Sequence, residues 1–307
     1  MGKKIISQLS IIPNYFCNYS CEYCYLGTKR QLKNVLDLNN LNKRILEIEK
    51  EYIINSISVY GGEVSLLPKE YIDKLCHILS NYDITITTNL SNEWLVDYCL
   101  NNNIHIASSL NQERNDYDDL LKKLITKKYK DKIHLSVVVL PSILNSNVDD
   151  LLDLYQKIGC DVYFIQYHPS VYNDLYHISQ RDYNEFLKNI LTKYHQKHYD
   201  FHIENEYIFQ DLNYNPMQES YLFINPNGNY ETVDYSNGIE FYTEFLTLKD
   251  WQEHCKKEEE WYFKNCSLCQ WYRKCKAEHL VSLSYPDCSG MPDLINNMYK
   301  GKSDGKC

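Results

Sequence analysis

The chemistry of this chain starts at residues 17–24, Cys-Asn-Tyr-Ser-Cys-Glu-Tyr-Cys. Cys17, Cys21 and Cys24 stand there in a C-x3-C-x2-C pattern. Three thiolates this close can hold three irons of a cubane cluster and leave the fourth iron without a protein ligand. An open iron is a reactive position, as a three-ligand zinc is. Two plainer uses of the same residues are a structural zinc site and a loose group of thiols. A structural zinc takes four ligands, and no fourth Cys or His lies nearby in the sequence.

Three further positions stand where chemistry can occur. Gly61-Gly62-Glu63 directly follows the alternating stretch Ile57–Tyr60. Two glycines let a backbone approach a ligand closely, although such a pair is also an ordinary turn. Asn89 and Ser109 close two more strand-like stretches, and either can bind a ligand or cap a turn into the next helix. A second cysteine group follows late in the chain, Cys266-x2-Cys269-x5-Cys275, with Cys288 and Cys307 beyond it. Zinc on Cys266, Cys269, Cys275 and either His279 or Cys288 is one use of that group; another iron–sulfur cluster is the other. Cys76, Cys99 and Cys160 lie in helical or strand-edge patterns and read as small buried hydrophobes. The run Lys256-Lys257-Glu258-Glu259-Glu260 reads as a solvated helix face.

The elements that must position these residues alternate from the start. Ile5–Ile12, Ile57–Tyr60, Ile84–Thr88, Ile104–Ser108, His134–Leu140 and Val162–Tyr167 read as strands. Leu36–Tyr52, Tyr71–Leu79, Trp94–Leu100, Tyr117–Ile125, Val148–Ile158 and Tyr183–Tyr194 read as helices. Six strand–helix units predict an α/β fold with a parallel sheet or partial barrel. A full barrel would need eight. In such barrels chemistry sits at the C-terminal ends of the strands. The cysteine loop, Gly61-Gly62-Glu63, Asn89 and Ser109 all fall there. Residues 201–220 read as a linker. Tyr221–Ile224 and Tyr230–Val233 read as a hairpin around Asn227-Gly228, a pair that favours a type I′ turn.

Composition narrows the class. The 307 residues suit one large domain or a barrel with an appendage, and 44% hydrophobic residues can build an ordinary core. A formal net charge of −9 speaks against non-specific nucleic-acid binding. No apolar run reaches the length of a membrane span, and Met-Gly-Lys-Lys-Ile-Ile lacks the apolar core of a signal peptide. A cytoplasmic protein is expected, and its 12 cysteines then read as metal ligands rather than disulfides. The 29 tyrosines read mainly as compositional bias, with an aromatic substrate groove as the other reading.

The cysteine loop, with Tyr23 just before its last cysteine and Gly61-Gly62-Glu63 at the next strand end, resembles the radical S-adenosylmethionine (SAM) enzymes. The resemblance implies a partial (β/α)6 TIM-like barrel. It also implies a 4Fe-4S cluster on Cys17, Cys21 and Cys24 whose fourth iron chelates SAM. Gly61, Gly62 and Glu63 would then bond the amino group of SAM. Asn89 and Ser109 would bond the ribose and nearby groups, and Tyr23 would lie beside the adenine. The family often has Asp where Asn111 stands. The cationic partner of the SAM carboxylate is not assigned.

The second cysteine group resembles the SPASM or twitch extension of these enzymes. A cysteine expected after the hairpin is replaced by Thr232-Val233-Asp234, and the one expected after Cys275 is His279. The resemblance therefore implies one auxiliary 4Fe-4S cluster on Cys266, Cys269, Cys275 and Cys288, with Cys307 as the rival fourth ligand. The expected organisation is a barrel over 1–200, a linker over 201–220 and a small cysteine-rich C-terminal domain over 221–307.

The activity implied is modification of a ribosomally made peptide by crosslinking, thioether formation or epimerisation. Alternatives are a twitch-type dehydrogenase of a small alcohol or sugar, and a non-enzymatic iron–sulfur carrier or zinc-binding adaptor. An electron donor such as flavodoxin or ferredoxin is expected. The first strand begins so close to Met1 that no leader-binding domain is expected upstream, which leaves direct peptide binding or a separate leader-recognition protein. Cys255, before the second cysteine group, is a candidate hydrogen-atom donor to a substrate radical, or a plain thiol. Neither a nucleic acid nor a membrane is expected as a partner.

Overall fold

A computed structural model describes residues 2–127, 129, 132–167, 175–208, 221–233 and 242–269. Six parallel strands build the first part: β1 (Lys4–Ile11), β2 (Tyr52–Val59), β3 (Asp83–Thr87), β4 (His105–Ser109), β5 (Ile133–Val139) and β6 (Val162–Gln166). Between and after them run α1 (Leu38–Glu49), α2 (Lys69–Ile78), α3 (Glu93–Asn101), α4 (Tyr117–Lys127), α5 (Pro141–Leu144), α6 (Val148–Ile158) and α7 (Gln180–Tyr194). Local signals set their ends. The Asp37 side chain accepts from the Asn40 N–H at 2.8 Å and starts α1. A Ser179–Asp182 capping box starts α7. Gly159, at φ 71°, ends α6 in the left-handed conformation.

The sheet order is β6-β5-β4-β3-β2-β1-β7-β8-β9, with all neighbours from β6 to β7 parallel. It is the curled partial barrel that the strand–helix alternation predicts. β7 (Tyr221–Ile224), β8 (Tyr230–Val233) and β9 (Tyr242–Phe245) continue the sheet beyond β1. Cysteines follow in the C-terminal region, Cys266 at the end of α9 (Leu248–Cys266) and Cys269 beyond it. Residues 201–208, within the stretch expected as a linker, pack on β6. Phe201 and Ile203 are buried, Ile203 bridges Val162 in parallel, and α8 (Asn205–Ile208) follows.

Two local expectations are corrected. The helix expected to reach Tyr52 stops at Glu49, and Tyr52 opens β2 opposite Lys4. Its buried ring meets Trp251 edge-on, a tertiary contact no local pattern encodes. The hairpin does not use a type I′ turn at Asn227-Gly228. Only Gly228 takes positive φ, at 77°, whereas that turn needs it at both central residues. Asn225 organises the loop instead: its side-chain oxygen accepts from the Asn227 and Asn229 N–H groups, each at 3.0 Å.

Alternation along the strands divides the sheet into two faces. Ile57, Val59, Ile84, Ile86, Ile106, Leu135, Val137 and Phe164 are buried in the main core with residues of the helices. Ser58, Thr85, Thr87, Ala107, Ser109, His134 and Ser136 alternate with them, are half-buried, and line the concave face. This inner face is small and polar. The lumen is therefore built to hold something other than packed aliphatic side chains. Among the described residues, no helix is long and apolar enough to cross a membrane.

Candidate active site

The loop after β1 carries Cys17, Cys21 and Cys24 as half-buried thiols outside any disulfide. Burial pushes all three thiols up from their ordinary value, and neighbours work against it: the Tyr19 N–H for Cys17, Arg114 for Cys21, and the Leu26 backbone and Arg30 for Cys24. The Tyr19 N–H reaches Cys17 Sγ at 3.4 Å. Donors and cations aimed at sulfur suit thiolates that ligate metal. The loop supplies three such sulfurs and no fourth, the donor set of a cubane with one open iron.

Gly61 and Gly62 lie tight against this loop. The Gly62 N–H donates to the Asn14 carbonyl at 2.9 Å and the Glu63 N–H to the Phe16 carbonyl at 2.8 Å. A Cβ on Gly62 would stand 2.0 Å from the Phe16 carbonyl oxygen, and one on Gly61 would stand 2.3 Å from that of Asn14. Only glycine fits at either position. Among the described residues no protein donor reaches the Gly61 or Gly62 carbonyl. Those two acceptors suit an ammonium group brought by a ligand.

The Glu63 side chain is already engaged. It is 1% exposed. Oε1 accepts from the Ser65 N–H at 2.9 Å and the Thr88 hydroxyl at 2.6 Å, and Oε2 accepts from the Asn89 N–H at 2.7 Å. The carboxylate thus ties the turn after β2 to the end of β3. The Asn89 amide nitrogen donates to Asn18 Oδ1 at 2.8 Å and lies 4.0 Å from Cys17 Sγ. The next residue, Leu90, takes φ 60° although it is not glycine, an uncommon conformation that a fixed surrounding sustains. Lys123 Nζ holds its carbonyl at 2.8 Å.

Tyr23 reaches Ser109 at 3.5 Å between hydroxyls, and burial raises its phenol. Asn111 is fully buried and clamps Val138. Its amide nitrogen donates to the Val138 carbonyl at 2.7 Å, and its oxygen accepts the Val138 N–H at 3.0 Å. An aspartate there would lack the donor, which gives Asn a physical reason at this position.

Sequence reasoning missed Arg114. Its guanidinium donates to the Asn89 carbonyl at 2.6 Å, to the Ser109 carbonyl, to Ser109 Oγ at 3.3 Å, and to both oxygens of Asp116 at 2.8 and 3.1 Å. Its Cζ lies 5.6 Å from the centre of the Tyr19 ring, and the Tyr19 hydroxyl donates to Asp116 at 2.9 Å. One buried side chain thus fastens the ends of β3 and β4 to the cysteine loop. The only local signal was a single basic residue in the polar loop after β4.

The structure therefore gathers Cys17, Cys21, Cys24, Tyr23, Gly61, Gly62, Glu63, Asn89 and Ser109 at the C-terminal ends of β1 to β4. Cys255 is not among them. It is buried in the core on α9, one turn past Trp251, whose ring meets Tyr52 at the N-terminal end of β2. The Cys269 N–H donates to the Cys266 carbonyl at 2.9 Å; the Cys266 thiol is half-buried and that of Cys269 exposed. Cys275, His279, Cys288 and Cys307 lie outside the described residues.

A curled half-barrel with three cysteines after its first strand and a glycine pair after its second resembles a radical SAM domain. A sequence model of the radical SAM superfamily matches residues 11–99, the stretch that holds both features. Membership of that superfamily would imply a 4Fe-4S cluster and SAM. No curated protein matches the chain. Among solved structures, native anSMEcpe with bound AdoMet is similar at 18% identity and a TM-score of 0.67, covering 95% of this chain and 99% of that one. The same protein with AdoMet and a Cp18Cys peptide gives 18% identity and 0.65 over the same shares. Streptococcus suis SuiB bound to precursor peptide SuiA gives 17% and 0.53, covering 73% of this chain and 58% of that one. At these identities the likeness establishes the fold.

Proposed function

We propose that this chain is a radical SAM enzyme that modifies a peptide. The observation that carries the reading is the joining of the cysteine loop to the ends of β2, β3 and β4 through Glu63, Asn89 and Arg114. Cys17, Cys21 and Cys24 would hold the cluster, which together with SAM would supply the means of taking a hydrogen atom from an unactivated C–H bond. The protein's own residues bind and orient. The Gly61 and Gly62 carbonyls accept the ammonium group of SAM, Asn89 and Ser109 hold its ribose, and Tyr23 flanks its adenine. The Glu63 carboxylate acts on SAM only by fixing the backbone around it.

The peptide reading is supported by two of the similar structures holding peptides, Cp18Cys and SuiA. It fits a polar, half-open lumen, with an electron donor of the flavodoxin or ferredoxin kind and either direct peptide binding or a separate leader-recognition protein. In the same reading Cys266, Cys269, Cys275 and Cys288 hold one auxiliary 4Fe-4S cluster in a C-terminal domain over 221–307. The reconstituted chain then carries about eight irons, and about four once Cys17, Cys21 and Cys24 are all Ala.

The test is anaerobic co-expression with each short open reading frame encoded beside this gene, followed by mass spectrometry. Loss of two hydrogens from a peptide, or uptake of one deuterium from deuterated water, is expected. Unchanged peptides, together with oxidation of a small alcohol coupled to 5′-deoxyadenosine, would replace the peptide by a small-molecule substrate.

A further inference from the structure

A second set of ligand-type side chains lies in the lumen, apart from the cysteine loop. We propose that His134, Asp161 and Glu204 form a binding site for one divalent first-row cation on the inner wall of the half-barrel. The argument begins with register. Leu135 pairs with Val162, and Val162 with Ile203, all in parallel. Leu135, Val162 and Ile203 are all buried on the outer, helix-covered side. Alternation therefore turns their predecessors His134 and Asp161, and the successor Glu204, to the inner face.

Neighbouring parallel strands lie about 4.8 Å apart, so three inward side chains at one level can meet. They do: one ligand atom from each lies within 4.8 Å of the others. His134 Nδ1 contacts Glu204 Oε1 directly. The backbone fixes the set from outside. The His202 N–H donates to Asp161 Oδ1 at 2.7 Å, the Glu204 N–H to the Val162 carbonyl at 2.8 Å, and the Leu135 N–H to the Asp161 carbonyl at 2.8 Å.

Charge and chemistry select the ligand. Two carboxylates and one imidazole converge, so even a protonated His134 leaves the group net negative, and like charges this close repel. A divalent cation answers that charge. One imidazole nitrogen and two carboxylate oxygens are donors that zinc accepts with an open fourth position, and that manganese accepts with added water. The side chains of His134 and Glu204 are 41% and 30% exposed, which gives an ion a way in from solvent.

The site is placed to matter. His134 pairs with Ala107, and Ser136 with Ser109. The cation would thus sit about 7 Å below the level of Ser109, two residues down the same face. The inference does not depend on what the cysteine loop binds.

The probe is Mn2+, which discriminates against the chain's many thiols in favour of oxygen and nitrogen. The full chain with its clusters loaded is titrated and bound Mn2+ is read by electron paramagnetic resonance. One ion per chain is expected, with affinity at least about tenfold weaker in His134→Asn and Glu204→Gln. Matching thermal unfolding of wild type and variants without Mn2+ shows that the variants are folded. No binding by the wild type, or equal binding by all three proteins, overturns the proposal and leaves His134 and Glu204 as an ion pair.

Discussion

The carboxylate of Glu63, just past β2, accepts the backbone N–H of Asn89, just past β3, at 2.7 Å. A buried charge-assisted bond of this kind is among the stronger local ties a fold can make. It fixes the spacing between two strand ends, and the cysteine loop rests on both. Glu63→Gln keeps the shape but offers an amide where three donors converge. One donor must lose its acceptor, at a cost of about 2 kcal/mol. A chemical melt should show that loss. Cluster iron should stay unchanged while 5′-deoxyadenosine formation falls by about tenfold or more. A variant with wild-type activity would detach Glu63 from the site.

Arg114 offers a complementary test. Lysine keeps the charge but not the planar fork that reaches Asn89, Ser109 and Asp116 together. Arg114→Lys should retain the cluster and bind SAM more weakly, with KM for SAM rising more than kcat falls. Arg114→Ala should also shift the cluster's reduction potential downward, because a cation near Cys21 is gone. Equal potentials in wild type and Arg114→Ala would limit Arg114 to holding the loops.

Glu231 predicts a pH dependence of stability. It is 3% exposed on β8, bonded to Asn225 at 2.8 Å and to Tyr15 at 3.4 Å. Burial, the largest cause, lifts its carboxyl to about 7, and the Asn225 bond and Lys29 offset part of that. The native state therefore keeps the proton where the unfolded chain loses it. The stabilisation is full below the ordinary carboxyl value and is lost as pH rises through about 7. Urea melts should show about 3 kcal/mol of that loss between pH 4.5 and pH 8. Glu231→Gln should lack it. Parallel curves for the two proteins would contradict the buried proton.

Much of this was legible in the sequence, for identifiable reasons. The strands were readable because apolar residues alternate along them, as Ile84 and Ile86 do with Thr85 and Thr87 on the lumen face. The cysteine loop was readable because its spacing is local. Arg114 was not, because its partners Asn89, Ser109 and Tyr19 are distant in sequence or join it only when β3 and β4 lie side by side. Glu63 was singled out for SAM, yet its carboxylate is spent on Thr88 and Asn89, which meet it only once β2 and β3 lie side by side. The site on His134, Asp161 and Glu204 escaped because its residues meet through strand register alone. Tyr52 was placed in a helix because nothing nearby announces Trp251.

The central claim is that the three thiols of the loop after β1, held against Gly61 and Gly62, make this chain a radical SAM enzyme. The most direct measurement is 5′-deoxyadenosine formed from SAM and dithionite by the anaerobically reconstituted protein. It should be compared with a variant carrying Cys17→Ala, Cys21→Ala and Cys24→Ala together. The account predicts formation by the wild type and none by the variant. Equal formation by both proteins, or none by a wild type that holds its iron, would contradict it.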